Sequence, residues 1–136
     1  MATVVASAHL NDDEFLAQFN DCRLPLSSFR HGDHLRLGWI YLHRYPFTEA
    51  LALVRAGIQK FAAHHNASHI FHETVTTAWM RLLSTHREES FGEFIRGNEH
   101  RLTLELLHRF WTPATLNSEA ARTGWVSPDR NALPSG

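Results

Sequence analysis

The sequence predicts an all-α protein, and three observations support this fold class. Apolar residues recur at the helical spacing of three or four along most of the chain. Helix-capping residues and prolines bracket these segments, and no pair of alternating segments predicts a β-hairpin. A chain of 136 residues is long enough to bury one core. We therefore expect a single domain over 1–136, a compact bundle of five to six helices, with loosely ordered ends at 1–10 and in a Pro-containing C-terminal tail, 127–136.

Six helical segments follow one another, and capping residues set their limits. Asn11, with Glu14 three residues later, is typical of a capping box at the start of a helix. Pro46 is expected to stop the second helix, Thr48 to cap the third and Pro113 to close the sixth. The segments are, in order, NDDEFLAQF, HGDHLRLGWIYLHRY, EALALVRAGIQKFAAHH, HETVTTAWMRLLSTH, FGEFIRG and EHRLTLELLHRFW, and SEAAR adds one further turn.

Composition and charge exclude several classes of function. The net charge of −1 gives no electrostatic footprint for nucleic acid or for a membrane surface. No apolar run reaches the roughly 20 residues of a membrane span. The single cysteine, Cys22, excludes an internal disulfide, and the opening MATVVASAHL lacks the features of a signal peptide. We expect a cytoplasmic protein whose partner is a small molecule.

The 11 histidines are the unusual feature of the composition, and several share one predicted region. At about 100° per residue, His34 lies near the middle of the apolar arc of the second helix, His31 shares its side and Arg36 points away. His72 lies at the centre of the arc of the fourth helix, with Glu73 at its rim. Short connections favour antiparallel neighbours, so the first turns of both helices are expected at the same end of the bundle.

Two kinds of chemistry fit this cluster. In the first, His34, His72 and His31 bind a divalent transition metal, zinc or iron, and leave a position open for substrate, with His65 or Glu73 as alternatives to His31 for the third ligand. His72 and Glu73 then have catalytic roles. In the second, no metal is present: helix N-termini attract a small acid, His72 or Glu73 is the general base and His34 donates a hydrogen bond. A third alternative is a non-catalytic helical interaction module, which predicts an exposed apolar patch.

Neighbouring residues refine the prediction of a pocket. The motif H-E-x-x-H of metalloproteases is excluded, since Thr76 stands in place of its second histidine. Thr76, with aromatic walls from Trp39, Tyr41 and Trp79, suits a small and partly apolar ligand. The alternative for each aromatic residue is a place in the core, and for each histidine a core position with a hydrogen-bonded neighbour.

The segments FRHGDHLRLGWIYL, FHETVTTAW and LNSEAARTGWVSPDRNALP together resemble a family of short bacterial all-helical proteins. Its pattern is approximately H-x-x-H-L-R-x-A-W followed by Y-H-E-T-x-T-x-A-W, and this chain departs from it at Gly38 and Phe71. The resemblance implies a helical fold and a shared polar cluster, and no particular activity. The resemblance also adds Arg122 to the candidate site residues. The C-terminal segment would fold back and place this charge over the pocket, and the alternative is that Arg122 forms a surface salt bridge. The matching positions are His31, His34, Leu35, Arg36, Trp39, His72, Glu73, Thr74, Thr76, Trp79, Ser118, Arg122, Pro128 and Asp129.

Overall fold

The computed structural model describes residues 6–98 and 102–134, and it confirms the all-α prediction. Within these ranges there are eight α-helices and no strand. Five of the helices have eight or more residues, close to the expected number. The helices are α1 (Asp12–Asn20), α2 (His31–Arg44), α3 (Phe47–His64), α4 (Glu73–Leu83), α5 (Phe91–Asn98), α6 (Leu104–Leu107), α7 (Pro113–Leu116) and α8 (Glu119–Thr123). Short 3-10 turns occupy Leu26–Ser28 and Ser68–Ile70.

By their contacts, the described residues form two compact units, an N-terminal unit of residues 6–71 and a C-terminal unit of residues 72–134. The N-terminal unit contains α1 to α3, and the C-terminal unit contains α4 to α8. A single domain over 1–136 and loosely ordered ends stay predictions, and residues 1–5, 135 and 136 lie outside the described ranges.

Phenylalanine rings form the core of the N-terminal unit, where α3 packs against both α1 and α2. The Phe19 ring lies 4.9 Å from that of Phe29 and 5.2 Å from that of Phe61, measured between centroids. A Cβ atom added to Gly57 would lie 2.8 Å from Cε2 of Phe19. The absence of a side chain at Gly57 therefore lets α3 approach α1 closely.

The helix starts in this unit follow local rules, with one correction. The capping box of α1 is confirmed, since the Asn11 side chain accepts from the Glu14 N–H at 2.8 Å and the Glu14 side chain accepts from the Asn11 N–H at 3.0 Å. The prediction that Thr48 caps α3 is wrong, because the helix already begins at Phe47 and its N-cap is Pro46. Proline has φ fixed near −65°, and it leaves no N–H to satisfy before a helix begins.

Thr74 and Trp111 fix the C-terminal segment onto the helices of the C-terminal unit. The fully buried Thr74 hydroxyl donates to the Gly124 carbonyl at 2.7 Å and accepts from the Val126 N–H at 3.1 Å. The Trp111 indole N–H donates to the Val126 carbonyl at 2.9 Å. Residues 124–126 are thereby fixed to the unit without forming a strand, and the backbone of Gly124 is extended.

The predicted sixth helix is much shorter than expected. Its first residues, 99–101, lie outside the described ranges, and α6 covers only Leu104–Leu107. Pro113 begins α7 instead of closing a helix, and the Thr112 hydroxyl caps α7 by accepting from the Thr115 N–H at 3.3 Å. The reason is that proline at the first helical position loses no hydrogen bond and has a helical φ.

Asp129 holds the tail on α7. Its carboxylate accepts from the Thr112 N–H at 2.8 Å, from the Thr112 hydroxyl at 2.8 Å and from the Thr115 hydroxyl at 2.6 Å. The Thr115 hydroxyl first, and then the Thr112 N–H, lower the pKa of Asp129 to about 2. The next residue, Arg130, donates its backbone N–H to the Phe110 carbonyl at 2.9 Å. The tail is therefore hydrogen-bonded at least as far as this point.

Candidate functional site

Both ring nitrogens of His72 are used in hydrogen bonds within the C-terminal unit. His72 is the N-cap of α4, and its Nδ1 accepts from the Val75 N–H at 3.1 Å. Because Nδ1 accepts, the proton of the neutral ring is on Nε2, which donates to the Leu116 carbonyl at 2.8 Å. A metal bound at His72 would therefore have to replace one of these two bonds.

Three other residues of this unit were predicted to belong to the site, and each lies in its own local environment. Glu73 lies in the first turn of α4, and its carboxylate accepts from the Thr77 hydroxyl at 3.0 Å. Thr76 is half-buried. Arg122 forms an ion pair with Glu119 at 2.7 Å, one turn earlier on α8. This arrangement of Arg122 matches the alternative of a surface salt bridge.

His34 lies against an aromatic ring in the N-terminal unit. Its imidazole stacks on the Phe29 ring with centroids 4.0 Å apart. Burial, and then the charge of His31, lower the pKa of His34 to about 4, against opposing effects of Asp33 and the backbone of Phe29. His34 is therefore neutral at physiological pH. His31 is the exposed first residue of α2.

Trp39 and Tyr41 are buried in the N-terminal unit. The Trp39 ring lies 4.5 Å from the His43 ring, and the Nδ1–H of His43 donates to the Trp39 carbonyl at 2.9 Å. The Tyr41 hydroxyl accepts from the Asn20 side chain at 3.5 Å. Both residues therefore occupy core positions, which was the alternative to a place in the wall of a ligand pocket.

Ser7, Asp33 and Arg36 form a buried polar network that the sequence did not predict. All three are buried. The Asp33 carboxylate accepts from the backbone N–H of Ser7 at 2.8 Å, of Ala6 at 3.0 Å and of Arg30 at 2.9 Å. It also accepts from the Ser7 hydroxyl in a short hydrogen bond. Four donors thus satisfy a charge that would be costly to bury alone.

Arg36 is the second charge of this network, and the prediction that it points away from the core is wrong. Its guanidinium donates to the Ser7 carbonyl at 2.6 Å, to the Ser7 hydroxyl at 3.1 Å and to the Leu10 carbonyl at 2.7 Å. It also pairs with Asp12 at 2.9 Å and lies 4.8 Å from the centre of the Phe15 ring. Burial of this arginine is tolerated because both terminal nitrogens of the guanidinium donate to acceptors and its face lies over an aromatic ring. A helical wheel identifies the buried side of a helix from its apolar residues alone. It therefore cannot show that another segment covers the side that carries Arg36.

The metal ligands predicted from the sequence do not form a recognisable centre in the described parts of the chain. Over 6–98 and 102–134, no group of three or more His, Cys, Asp or Glu side chains is arranged to hold a metal ion. His31 and His34 share the first turn of α2, and His72 caps α4. Metal binding by these three residues stays a prediction.

The C-terminal unit contains a pocket of about 200 Å³ that is lined by eight apolar and four polar residues. Trp79, one of the aromatic residues predicted to contact a ligand, lines it together with Phe94 and Phe110. The four polar residues at the pocket are Thr85, His86, Asn98 and Arg109. Its remaining lining residues are Leu82, Leu83, Leu102, Leu106 and Pro134.

Two of the polar residues have unused hydrogen-bonding capacity. The exposed Arg109 guanidinium has no hydrogen-bond or ion-pair partner among the residues that the structure describes. The His86 Nδ1 lies 3.2 and 3.3 Å from the two carboxylate oxygens of Glu88, which leaves its Nε2 without a partner in the described chain. By contrast, Asn98 donates to the Phe94 carbonyl at 2.9 Å, and Thr85 donates to the Leu82 carbonyl at 2.7 Å.

Comparison with known proteins leaves the identity of the chain open. No protein-family model, no curated protein and no solved structure matches it. In the described ranges, none of the helices combines the length and apolar character needed to cross a membrane. The family resemblance of the sequence therefore stays a prediction, and any proposal of function depends on the geometry of the two units.

Proposed function

We propose that this protein binds a small aromatic anion in the pocket of the C-terminal unit. The observation that carries the proposal is the pairing of an aromatic wall with Arg109, a cation at the same pocket whose guanidinium has no partner within 6–98 and 102–134. Binding sites for small molecules are typically apolar cavities with a few polar groups that fix orientation. Arginine, whose guanidinium is always charged, recognises carboxylates through paired hydrogen bonds.

The volume of the pocket restricts the size of the ligand. An apolar cavity of about 150 Å³ holds one benzene molecule. A pocket of about 200 Å³ therefore suits a single ring with a short acidic substituent. This is a small-acid-binding role of the kind expected from the sequence, with a different set of residues.

A role as a metal enzyme, with zinc or iron at His31, His34 and His72, remains a separate hypothesis. Elemental analysis of protein purified without a histidine tag tests it directly. A near-stoichiometric metal that is lost in His34→Phe would support it, and protein that neither contains nor takes up zinc or iron would exclude it.

The binding proposal is tested by calorimetric titration of the full chain with benzoate and phenylacetate, each compared with its neutral amide. We expect both anions to bind more tightly than their amides. Arg109→Gln should weaken anion binding about tenfold, the usual effect of losing a charge-assisted hydrogen bond, and should weaken amide binding much less because the amide carries no charge.

Two further variants complete the test. Arg96→Gln removes another exposed arginine, one that does not line the pocket, and it should leave affinity unchanged. Leu106→Trp should fill the pocket and abolish binding of acids and amides alike. Equal affinity for acids and amides, or unchanged binding in Leu106→Trp, would contradict the proposal.

A further inference from the structure

Glu88 determines which nitrogen of His86 carries the proton. Burial acts to raise the pKa of Glu88, but hydrogen bonds from its own backbone N–H, from His86 and from Asn98 outweigh that effect and lower the pKa below its usual value. The carboxylate is therefore ionised and can only accept hydrogen bonds. Since both of its oxygens face the His86 Nδ1, at 3.2 and 3.3 Å, Nδ1 carries the proton. In the neutral ring, Nε2 is then a hydrogen-bond acceptor.

The His86 Nε2 is accessible. No residue in the described ranges forms a hydrogen bond with it, and no side-chain nitrogen or oxygen in those ranges is both buried and without a partner. The side chain of His86 is 28% exposed and lines the pocket. Its ring also meets the Phe94 ring edge to face, with centroids 4.7 Å apart, which restricts rotation.

The pocket therefore offers two complementary polar groups. Arg109 can only donate hydrogen bonds, so it selects an anion or another acceptor. Nε2 of His86 can only accept in the neutral ring, so it selects a donor. Asn98 does not compete with Arg109 as a donor, because its amide nitrogen already donates to the Phe94 carbonyl and lies within 3.5 Å of the Glu88 carboxylate.

We propose that the ligand is a hydroxylated aromatic acid, whose hydroxyl donates to the His86 Nε2 while its carboxylate meets Arg109. This inference rests on the proposed function and names the ligand class within it. His86 is the residue that determines specificity, and Glu88 is a positioning residue that acts through it. No bond is made or broken in the complex.

Pairs of hydroxybenzoates and fluorobenzoates test the specificity, because fluorine replaces the hydroxyl with little change in size and cannot donate. Each pair carries the substituent at the same ring position, and all three positions are titrated. For at least one position, we expect the hydroxyl compound to bind about tenfold more tightly than its fluorinated partner, as for one net hydrogen bond. The preference should disappear in His86→Phe, which keeps a ring beside Phe94, and persist in His69→Phe, which replaces an exposed histidine outside the pocket.

The proton position is tested without any ligand, and the decisive measurement is made on the wild-type protein. Long-range proton–nitrogen correlation spectra distinguish the two neutral forms of a histidine ring. At a pH where the ring is neutral, we expect His86 to carry its proton on Nδ1. In Glu88→Leu this preference should be lost.

The outcomes separate the two proposals. Binding of aromatic acids without any preference for the hydroxyl would overturn the present inference and leave the proposed function standing. A proton on Nε2 in the wild-type protein would overturn it as well. Absence of binding by every acid would overturn both.

Discussion

The imidazole of His72 joins the start of α4 to the end of α7, since its Nε2 donates to the Leu116 carbonyl at 2.8 Å while its Nδ1 caps α4. A carbonyl near the end of a short helix lacks an intrahelical partner, and His72 provides one. The residue that the sequence singled out for chemistry thus has a structural role within the C-terminal unit.

The two hydrogen bonds of His72 should each contribute to stability, and two substitutions separate their contributions. His72→Ala removes both hydrogen bonds, and we expect it to lower the free energy of unfolding by about 2 kcal/mol. His72→Asn restores a side-chain oxygen that caps α4 but does not reach Leu116, so it should recover roughly half of the loss. Urea denaturation followed by far-UV circular dichroism measures both values. Equal stability of the wild type and His72→Ala would contradict the structural role.

Ser7→Ala should destabilise the protein, although Ser7 lies outside every helix. Its hydroxyl donates to Asp33 and accepts from Arg36, so removal leaves both buried charges with one partner fewer. We expect a loss of about 1–2 kcal/mol in the free energy of unfolding. Ser68→Ala, at an exposed position, should change stability by less than about 0.5 kcal/mol and is the control. A similar effect of both substitutions would argue against the network.

The lowered pKa of His34 predicts a loss of stability in mild acid. The pKa is about 4 in the folded protein and has a reference value of 6.5, so between these values the unfolded chain binds a proton that the folded protein does not. Stability due to the neutral ring is complete above pH 6.5, falls as the pH decreases, and is lost by about pH 4. The total is on the order of 3 kcal/mol.

His34→Phe keeps an aromatic ring on Phe29 and removes this titration. Denaturation of the wild type and of His34→Phe at a series of pH values from neutral to acidic measures the difference. We expect the stability of the variant to fall less steeply over this interval, and parallel curves would contradict the prediction. His69→Phe, at an exposed position, controls for the loss of a histidine as such.

Two helical glycines should respond in opposite ways to alanine. Gly57→Ala places a methyl group 2.8 Å from Cε2 of Phe19, whose ring cannot move aside because it packs between Phe29 and Phe61. We expect a loss of about 1–3 kcal/mol from overpacking. Gly97→Ala, whose new Cβ would meet no side chain of the described residues within 4 Å, should gain up to about 1 kcal/mol from helix propensity. Thermal denaturation compares them, and stabilisation by both would contradict the close packing of α3 on α1.

Local patterns in the sequence predicted the first five helices, apart from the start of α3, but neither the helices after them nor the partners of the buried polar groups. The capping box of Asn11 and Glu14 depends on residues three apart, so the sequence predicts it directly. The partner of His72 is 44 residues away, which no periodicity encodes. Arg36 is buried because Ser7, 29 residues earlier, supplies acceptors for it.

The sequence likewise predicted only part of the candidate site. Trp79 was predicted as an aromatic wall and does line a pocket. His86 and Arg109 were not singled out, because each looks like a surface residue in its own segment. Only the packing of α4 to α6 places them at one cavity. The one local signal was the spacing of His86 and Glu88, which is too common in sequences to identify a pair.

The position of Thr74 also limits which sequences can encode this fold. Valine has nearly the same shape as threonine, so a substitution matrix based on size and burial would accept it at this fully enclosed site. It would nevertheless leave the Gly124 carbonyl and the Val126 N–H without their partner, whereas serine retains the hydroxyl at the cost of a small void. Among natural variants or designed libraries, serine should therefore be the tolerated alternative here and valine the excluded one.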